Sequence, residues 1–307
     1  MGVTHHIGLE IAERSFRFVE IQQQDRQSTV LRADTLETAR DYASELFFDI
    51  PFDRELARQF ITDLATVYHR RTVFAGSISL VLPATLPLVF TVPVDSTLSE
   101  AERLRQLHWE CTTLGNVPQE TRMRMLTHVL GKEGATMRYL VVALPQALVD
   151  FLTQTCDYLT LDLTSIDIDH FAMENVLRRL YPHDVSQQYA VAGLHAGHCS
   201  VGRYADGRYL GYRMAGITYK EHYAAQVLGL IDALQPAGRD ALKQLYIFGD
   251  AATTHVVDAL EEILSCPVTR CIPLADTVIP GEVRAHVDGD GERVFDASAA
   301  AALMGQG

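Results

Sequence analysis

The 307 residues contain no apolar run long enough to cross a bilayer. The greasiest stretch, 78–94, is interrupted by Pro83, Pro87 and Pro93. It falls short of the about 20 apolar residues that a spanning helix needs, so two buried strands are expected there. Cysteine is sparse: Cys111, Cys156, Cys199, Cys266 and Cys271 form no C-x-x-C pair. That spacing argues against a disulfide framework or a zinc ribbon and predicts reduced thiols of a cytoplasmic protein. Positive charge is in deficit, with 26 Lys+Arg against 39 Asp+Glu and a net charge of −13. Such a balance excludes a sequence-independent grip on nucleic acid or anionic lipid. No basic segment followed by an apolar one opens the chain, so no secretory signal is expected. His5 and His6 are adjacent, point to opposite faces of a strand and are not expected to share a metal ion.

What remains is an ordinary globular mixture, 48% hydrophobic and 21% charged, long enough for about two domains. Three β-rich runs, 7–11, 16–21 and 29–33, predict an opening meander. Leu56, Phe60, Leu64 and Val67 then recur at helical spacing behind Asp53 as N-cap. Ser99 with Glu102 fits a capping box, and Leu98, Ala101, Leu104, Leu107, Cys111 and Leu114 form the stripe of the helix behind it, closed by Gly115. Strands are expected at 122–130 and 137–144, a helix from Pro145 to Leu159, a strand at 163–168 and a helix capped by Asp169 running to Leu180. The polar stretch 182–188 is the best domain boundary. A second meander follows at 189–194, 199–205 and 208–214, then helices at about 219–234 and 254–264 and strands at 245–248 and 267–270. Asp288-Gly-Asp-Gly-Glu resembles a calcium loop but lacks the EF-hand spacing, so a hairpin turn is expected.

Comparing the chain with itself gives the most informative signal. Ile7-Gly-Leu-Glu-Ile-Ala-Glu-Arg-Ser-Phe aligns without gaps on Ala192-Gly-Leu-His-Ala-Gly-His-Cys-Ser-Val, matching Gly8, Leu9 and Ser15 to Gly193, Leu194 and Ser200. Each copy heads one half of the chain. Two such meanders, each bending after its first strand, resemble the actin-like (ribonuclease H-like) duplicated α/β fold. In that superfamily two D-x-G turns close on the phosphates of ATP.

A closer resemblance is to the PilM family of type IV pilus assembly proteins, relatives of the cell-division protein FtsA. Ile7-Gly-Leu-Glu-Ile looks like that family's opening I-G-[IL]-D-I, followed by Val19-Glu20-Ile21 as its second strand. Leu82-Pro83 with Val92-Pro93-Val94, and Trp109-Glu110 with Val117-Pro118, are similar to its next passages. Val141-Val-Ala143, then Ile166-Asp-Ile-Asp-His-Phe-Ala172, Tyr212-Arg213 with Gly216, and Ile247-Phe-Gly249-Asp-Ala251 continue the match in order. The resemblance implies a first core at 1–87 completed by 166–182, a small inserted α/β subdomain at 88–165, and a second core at 183–307.

It also implies a nucleotide site at Glu10, Ala12, Ser15, His195, Gly197, Ser200, Gly216, Gly249 and Ala251, taking ATP or ADP with Mg²⁺, though none is required. The family's pattern is damaged there. D-I-G becomes Glu10-Ile11-Ala12, and Ala12 adds a Cβ where the backbone should approach phosphate. The second D-x-G becomes His195-Ala196-Gly197, and imidazole is a poor ligand for Mg²⁺. Asp250 stands at the second Gly of the adenosine turn and repels an anion. The expectation is a degenerate ATPase with no catalytic residues, acting as a scaffold. Its implied partner is the N-terminal tail of a bitopic, PilN-like inner-membrane protein, held in a groove beside the inserted subdomain, together with other pilus components. That would place the protein on the cytoplasmic face of the inner membrane without inserting into it, since 297–304 has no basic face. An active actin-like ATPase or small-molecule kinase is the alternative.

Other residues are less specific. His195 and His198 are expected to be loop histidines and not a metal pair. Neither a G-x-S-x-G elbow nor an activated Cys199 supports a hydrolase. Asp167 and Asp169 share a strand face, as a functional pair or, more simply, as a solvated edge leading into a cap. Trp109, the only tryptophan, is an interface anchor or a core side chain.

Overall fold

The computed structural model describes residues 2–25, 27–45, 53–182, 188–219, 222–234, 242–287 and 295–305. In chain order the elements are β1 (Thr4–Ala12), β2 (Ser15–Gln24), β3 (Gln27–Glu37), α1 (Tyr42–Glu45), α2 (Arg54–His69), β4 (Ser77–Leu82) and β5 (Leu88–Asp95). They continue with α3 (Glu100–Leu114), β6 (Met123–Glu133), β7 (Thr136–Pro145), α4 (Gln146–Tyr158), β8 (Asp162–Ile168) and α5 (Asp169–Leu180). The second half holds β9 (Tyr189–His195), β10 (His198–Ala205), β11 (Arg208–Gly216), α6 (Tyr223–Leu234), β12 (Gln244–Phe248), α7 (Thr254–Glu261), β13 (Val268–Arg270), α8 (Gly281–Val287) and α9 (Asp296–Met304). The 288–292 turn lies outside the described residues.

Two five-stranded sheets of matching order carry the duplication: β3-β2-β1-β4-β8 and β11-β10-β9-β12-β13. In each, a meander supplies the antiparallel half, and strands reached by crossovers add the parallel half. Alternation along β1 sends Ile7, Leu9 and Ile11 to a core shared with Phe60 of α2 and Leu148 and Leu152 of α4. α5 and α9 lie between the two sheets, joining Val19 and Ile21 to Tyr189, Val191 and Phe248. α6 and α7 cover the outer face of the second sheet. The order is therefore helices, sheet, helices, sheet, helices.

Gly8 has a packing role here. A Cβ at this position would overlap the Ser298 carbonyl oxygen of α9. The small side chains of Ala297, Ser298 and 299–302 allow the same close approach, and nearly all of α9 is buried.

The subunits of the fold are divided differently from the expected ranges. A separate three-stranded sheet, β5-β7-β6, packs with α3 around Val94, Leu107 and Val141. α4 belongs instead to the first core, and β8 starts at Asp162, so the small unit spans 88–145. Val278 and α9, expected in the second core, return to the first: Val278 bridges Thr29, and α9 packs over Gly8 of β1. The capping box of α3 forms as its sequence requires. Its apolar stripe is narrower than expected, because the helix meets only a small sheet: Leu107 and Cys111 are buried while Leu104, Leu114 and Trp109 are exposed. Trp109 is therefore not a core side chain.

Candidate functional site

Two hairpins face each other across a cleft of about 230 Å³: Glu13-Arg14 links β1 to β2, and Ala196-Gly197 links β9 to β10. The turns nearly touch, since a Cβ on Gly197 would lie 3.8 Å from Glu13 Oε1. Pairing in the hairpins revises the internal repeat. Ala12 opposes Ser15 and His195 opposes His198, so the halves correspond at an offset of 183, two residues from the gap-free alignment.

Glu10 reaches the cleft because β1 alternation turns it away from Leu9 and Ile11. Its Oε1 accepts from Arg17 Nη1 at 3.0 Å, and the second guanidinium nitrogen reaches Asp250 Oδ2 at 3.6 Å. Arg17 thus ties the first half to the turn after β12. Burial pushes the Glu10 carboxyl up to about 7; Arg17 opposes the rise, while Asp169 and Asp250 add to it. This group is a partly protonated acid near neutral pH.

Asp169 opens α5 and is 2% exposed. The N-cap position is Ile168, and the Asp169 carboxylate instead accepts the backbone N–H of Ala84 at 3.2 Å and that of His170. The solvated-edge expectation fails because the second half closes over this residue. Asp167 lines a different groove, so the two carboxylates form no pair.

His195 and His198 are not loop histidines either. Both are buried, with rings stacked at 5.0 Å and 17°. Their Nε2 atoms lie 3.4 and 3.9 Å from Asp169 Oδ2, and His195 Nδ1 lies 3.8 Å from Asp250 Oδ1. Burial would raise the Asp169 acid, but the two imidazoles outweigh it and hold the group below the usual carboxylate range; burial likewise lowers His195.

Of the residues implied by the resemblance, Glu10, Ala12, Ser15 and His195 line the cleft, and Gly197 forms its turn at φ 91°. Ser200, Gly216, Gly249 and Ala251 do not line it. Ser200 is buried behind it, hydrogen-bonded to His170 Nδ1 at 2.8 Å. Gly216 pairs with His198 in the ladder. Gly249 adopts φ 98° and donates its N–H to Asp296 Oδ2 of α9 at 3.0 Å, while Ala251 N–H donates to the Leu194 carbonyl. Arg17 is a charged cleft residue that sequence reasoning misses, and Asp169, read there as a candidate partner of Asp167, faces the two histidines instead. A signal for the histidines was present: across a two-residue hairpin, positions i and i+3 are directly opposed.

The fold defined by these two sheets and their facing turns is the actin-like ATPase fold. A chain of the PilM–PilN type IV pilus biogenesis complex superposes with a TM-score of 0.67 at 13% identity, covering 98% of this chain and 98% of that one. A Bacteroides thetaiotaomicron protein with an actin-like ATPase fold and unknown function gives 0.53 at 10% identity, covering 88% and 91%. The ethanolamine utilization protein EutJ from Carboxydothermus hydrogenoformans gives 0.51 at 9% identity, covering 99% and 90%. No protein-family model matches the chain, and no curated protein matches it by sequence.

Proposed function

We propose that this chain is a scaffold of a type IV pilus or related secretion machine. It holds the N-terminal tail of a PilN-like inner-membrane protein as an extended strand, and its ATP turnover is weak or lost. The observation that carries the proposal is a groove between two strand edges. β6 ends the small sheet and β8 ends the first large one, and among the described residues neither outer edge is paired. Both edges line one cavity of about 720 Å³, with Met123, Met125 and Leu126 on one side and Leu163 and Ile166 on the other. A second cavity of about 300 Å³ shares Leu126, Val142, Asp167 and Phe171 with it, extending the groove to Glu174 and Arg178. Unpaired edges supply main-chain hydrogen bonds to an added strand, and apolar pockets select its alternate side chains. Asp167 suits a basic residue of a tail that meets a membrane, whereas Glu174 is already paired with Arg178.

The similarity to a chain of a PilM–PilN complex over nearly the full length of both supports the partner class. Loss of nucleotide chemistry is supported by the cleft itself. Glu10 and Asp250 are engaged by Arg17, and imidazoles occupy the second turn, a donor set that does not fit a nucleotide with Mg²⁺. Among the described residues no helix is long and apolar enough to cross a membrane, and attachment there is assigned to the partner.

The test is calorimetric titration of the full chain with a synthetic peptide of a PilN-like cytoplasmic tail from the same genome. One-to-one binding is expected, weakened at least about tenfold by Leu126→Arg, which buries nothing in the unliganded fold because Leu126 is 70% exposed. No binding heat, or unchanged affinity in that variant, overturns the assignment.

A further inference from the structure

The cleft holds a cluster that docking does not use and that the eroded nucleotide turns do not explain. Asp169 Oδ2 and one nitrogen each of His195 and His198 lie within 4.8 Å of one another, and all three residues are buried. We propose that this chain binds a borderline divalent cation, Zn²⁺ or a metal of similar preference, through Asp169, His195 and His198.

Geometry supports the assignment at the donor atoms. Bonds of about 2.0–2.2 Å in a tetrahedron put the donors about 3.3–3.6 Å apart. The His195 Nε2 to Asp169 Oδ2 edge, at 3.4 Å, already has that spacing, and the His198 Nε2 edge, at 3.9 Å, needs only a small contraction. His198 Nδ1 has no partner although it is buried, and the Nε2 atoms of both histidines face the Asp169 carboxylate without a well-formed hydrogen bond. Polar atoms removed from water without a partner are costly, and coordination satisfies them. The histidines converge because β9 and β10 place them as a directly opposed pair on one face of a two-residue hairpin.

The surroundings fit the same ligand. Asp250 Oδ1 stands 3.8 Å from His195 Nδ1, too far for a hydrogen bond but near enough to add negative charge beside the ring. The Tyr223 hydroxyl donates to the His195 carbonyl oxygen and fixes that end of β9. Two imidazoles and one carboxylate favour zinc, cobalt or nickel over magnesium, whose preference is for oxygen ligands. All three residues line the cleft between the two hairpins.

The site is tested on the full chain after dialysis against a chelator. Titration with Co²⁺ alone should give the intense visible bands of a tetrahedral site, saturating at one equivalent and abolished when Zn²⁺ displaces the cobalt. His195→Ala and His198→Ala should each weaken binding at least about 100-fold and Asp250→Asn about tenfold. His222→Ala, at an exposed histidine, should leave it unchanged. Asp169→Asn keeps the shape of the side chain and guards against a folding defect in the histidine variants. Absence of the cobalt bands in the wild type overturns the proposal, as does retention of wild-type affinity in Asp169→Asn or in the folded histidine variants. Either result would leave Asp169 as the counter-charge of the histidines.

Discussion

Glu10→Gln should make the protein more stable, and only at high pH. The carboxyl is 4% exposed, one oxygen pairs with Arg17 and the other makes no hydrogen bond. Its pKa rises from an ordinary 4.5 to about 7 on folding, so the folded chain holds this proton more tightly than the unfolded chain does. The resulting stabilisation is complete below the unfolded value and is lost as pH rises through the folded one. At about 1.36 kcal/mol per unit, ionising the buried group costs about 3 kcal/mol by pH 8. Glutamine avoids that cost and still presents an oxygen to Arg17. For a chain of this size the difference corresponds to a gain of about 5 °C in Tm. Thermal unfolding of wild type and Glu10→Gln, followed by circular dichroism at pH 5 and pH 8, isolates the effect, because His6, held neutral to about 4 by burial, titrates equally in both proteins. The two curves should nearly coincide at pH 5 and separate at pH 8. A variant that is equally or less stable at pH 8 would mean that Glu10 ionises without penalty. It would then be available to a magnesium ion, contrary to the account.

Gly8→Val should displace α9, because the added side chain occupies the space of the Ser298 carbonyl; overpacking of this kind costs about 1–3 kcal/mol, measured by chemical denaturation. Phe60→Ala removes a fully buried ring that meets Phe16 and Tyr42 edge-on at 5.3 and 5.1 Å, and should cost about 3–5 kcal/mol in the same assay. Burial pushes the Asp167 carboxyl in the groove up to about 6. Affinity for a basic tail peptide should therefore fall as pH drops from 7 to 5, and Asp167→Asn should remove that dependence.

Much of the architecture was legible because its signals are local. The Asp53 cap, the Ser99–Glu102 box and the four-residue stripe of α2 each depend on neighbours within a turn or two, and all form. The duplication was legible because both meanders head their halves, although its register slipped by two residues where only the hairpin pairing fixes it. The cleft was less legible because its residues are brought together from distant segments. Asp169 looks like a helix cap in isolation and becomes a buried carboxylate only when β9 and β10 close over it. Arg17 carries no motif and acquires its role from Asp250, far along the chain. α3 shows the converse: its sequence offers a broad apolar face, but the small sheet beneath covers only part of it, leaving Trp109 in solvent.

Steady-state phosphate release from Mg-ATP by the full chain is the most direct test of the idea that the fold survives without its nucleotide chemistry. Release should not exceed the buffer background at saturating ATP. Turnover above background that disappears in Glu10→Ala would contradict it.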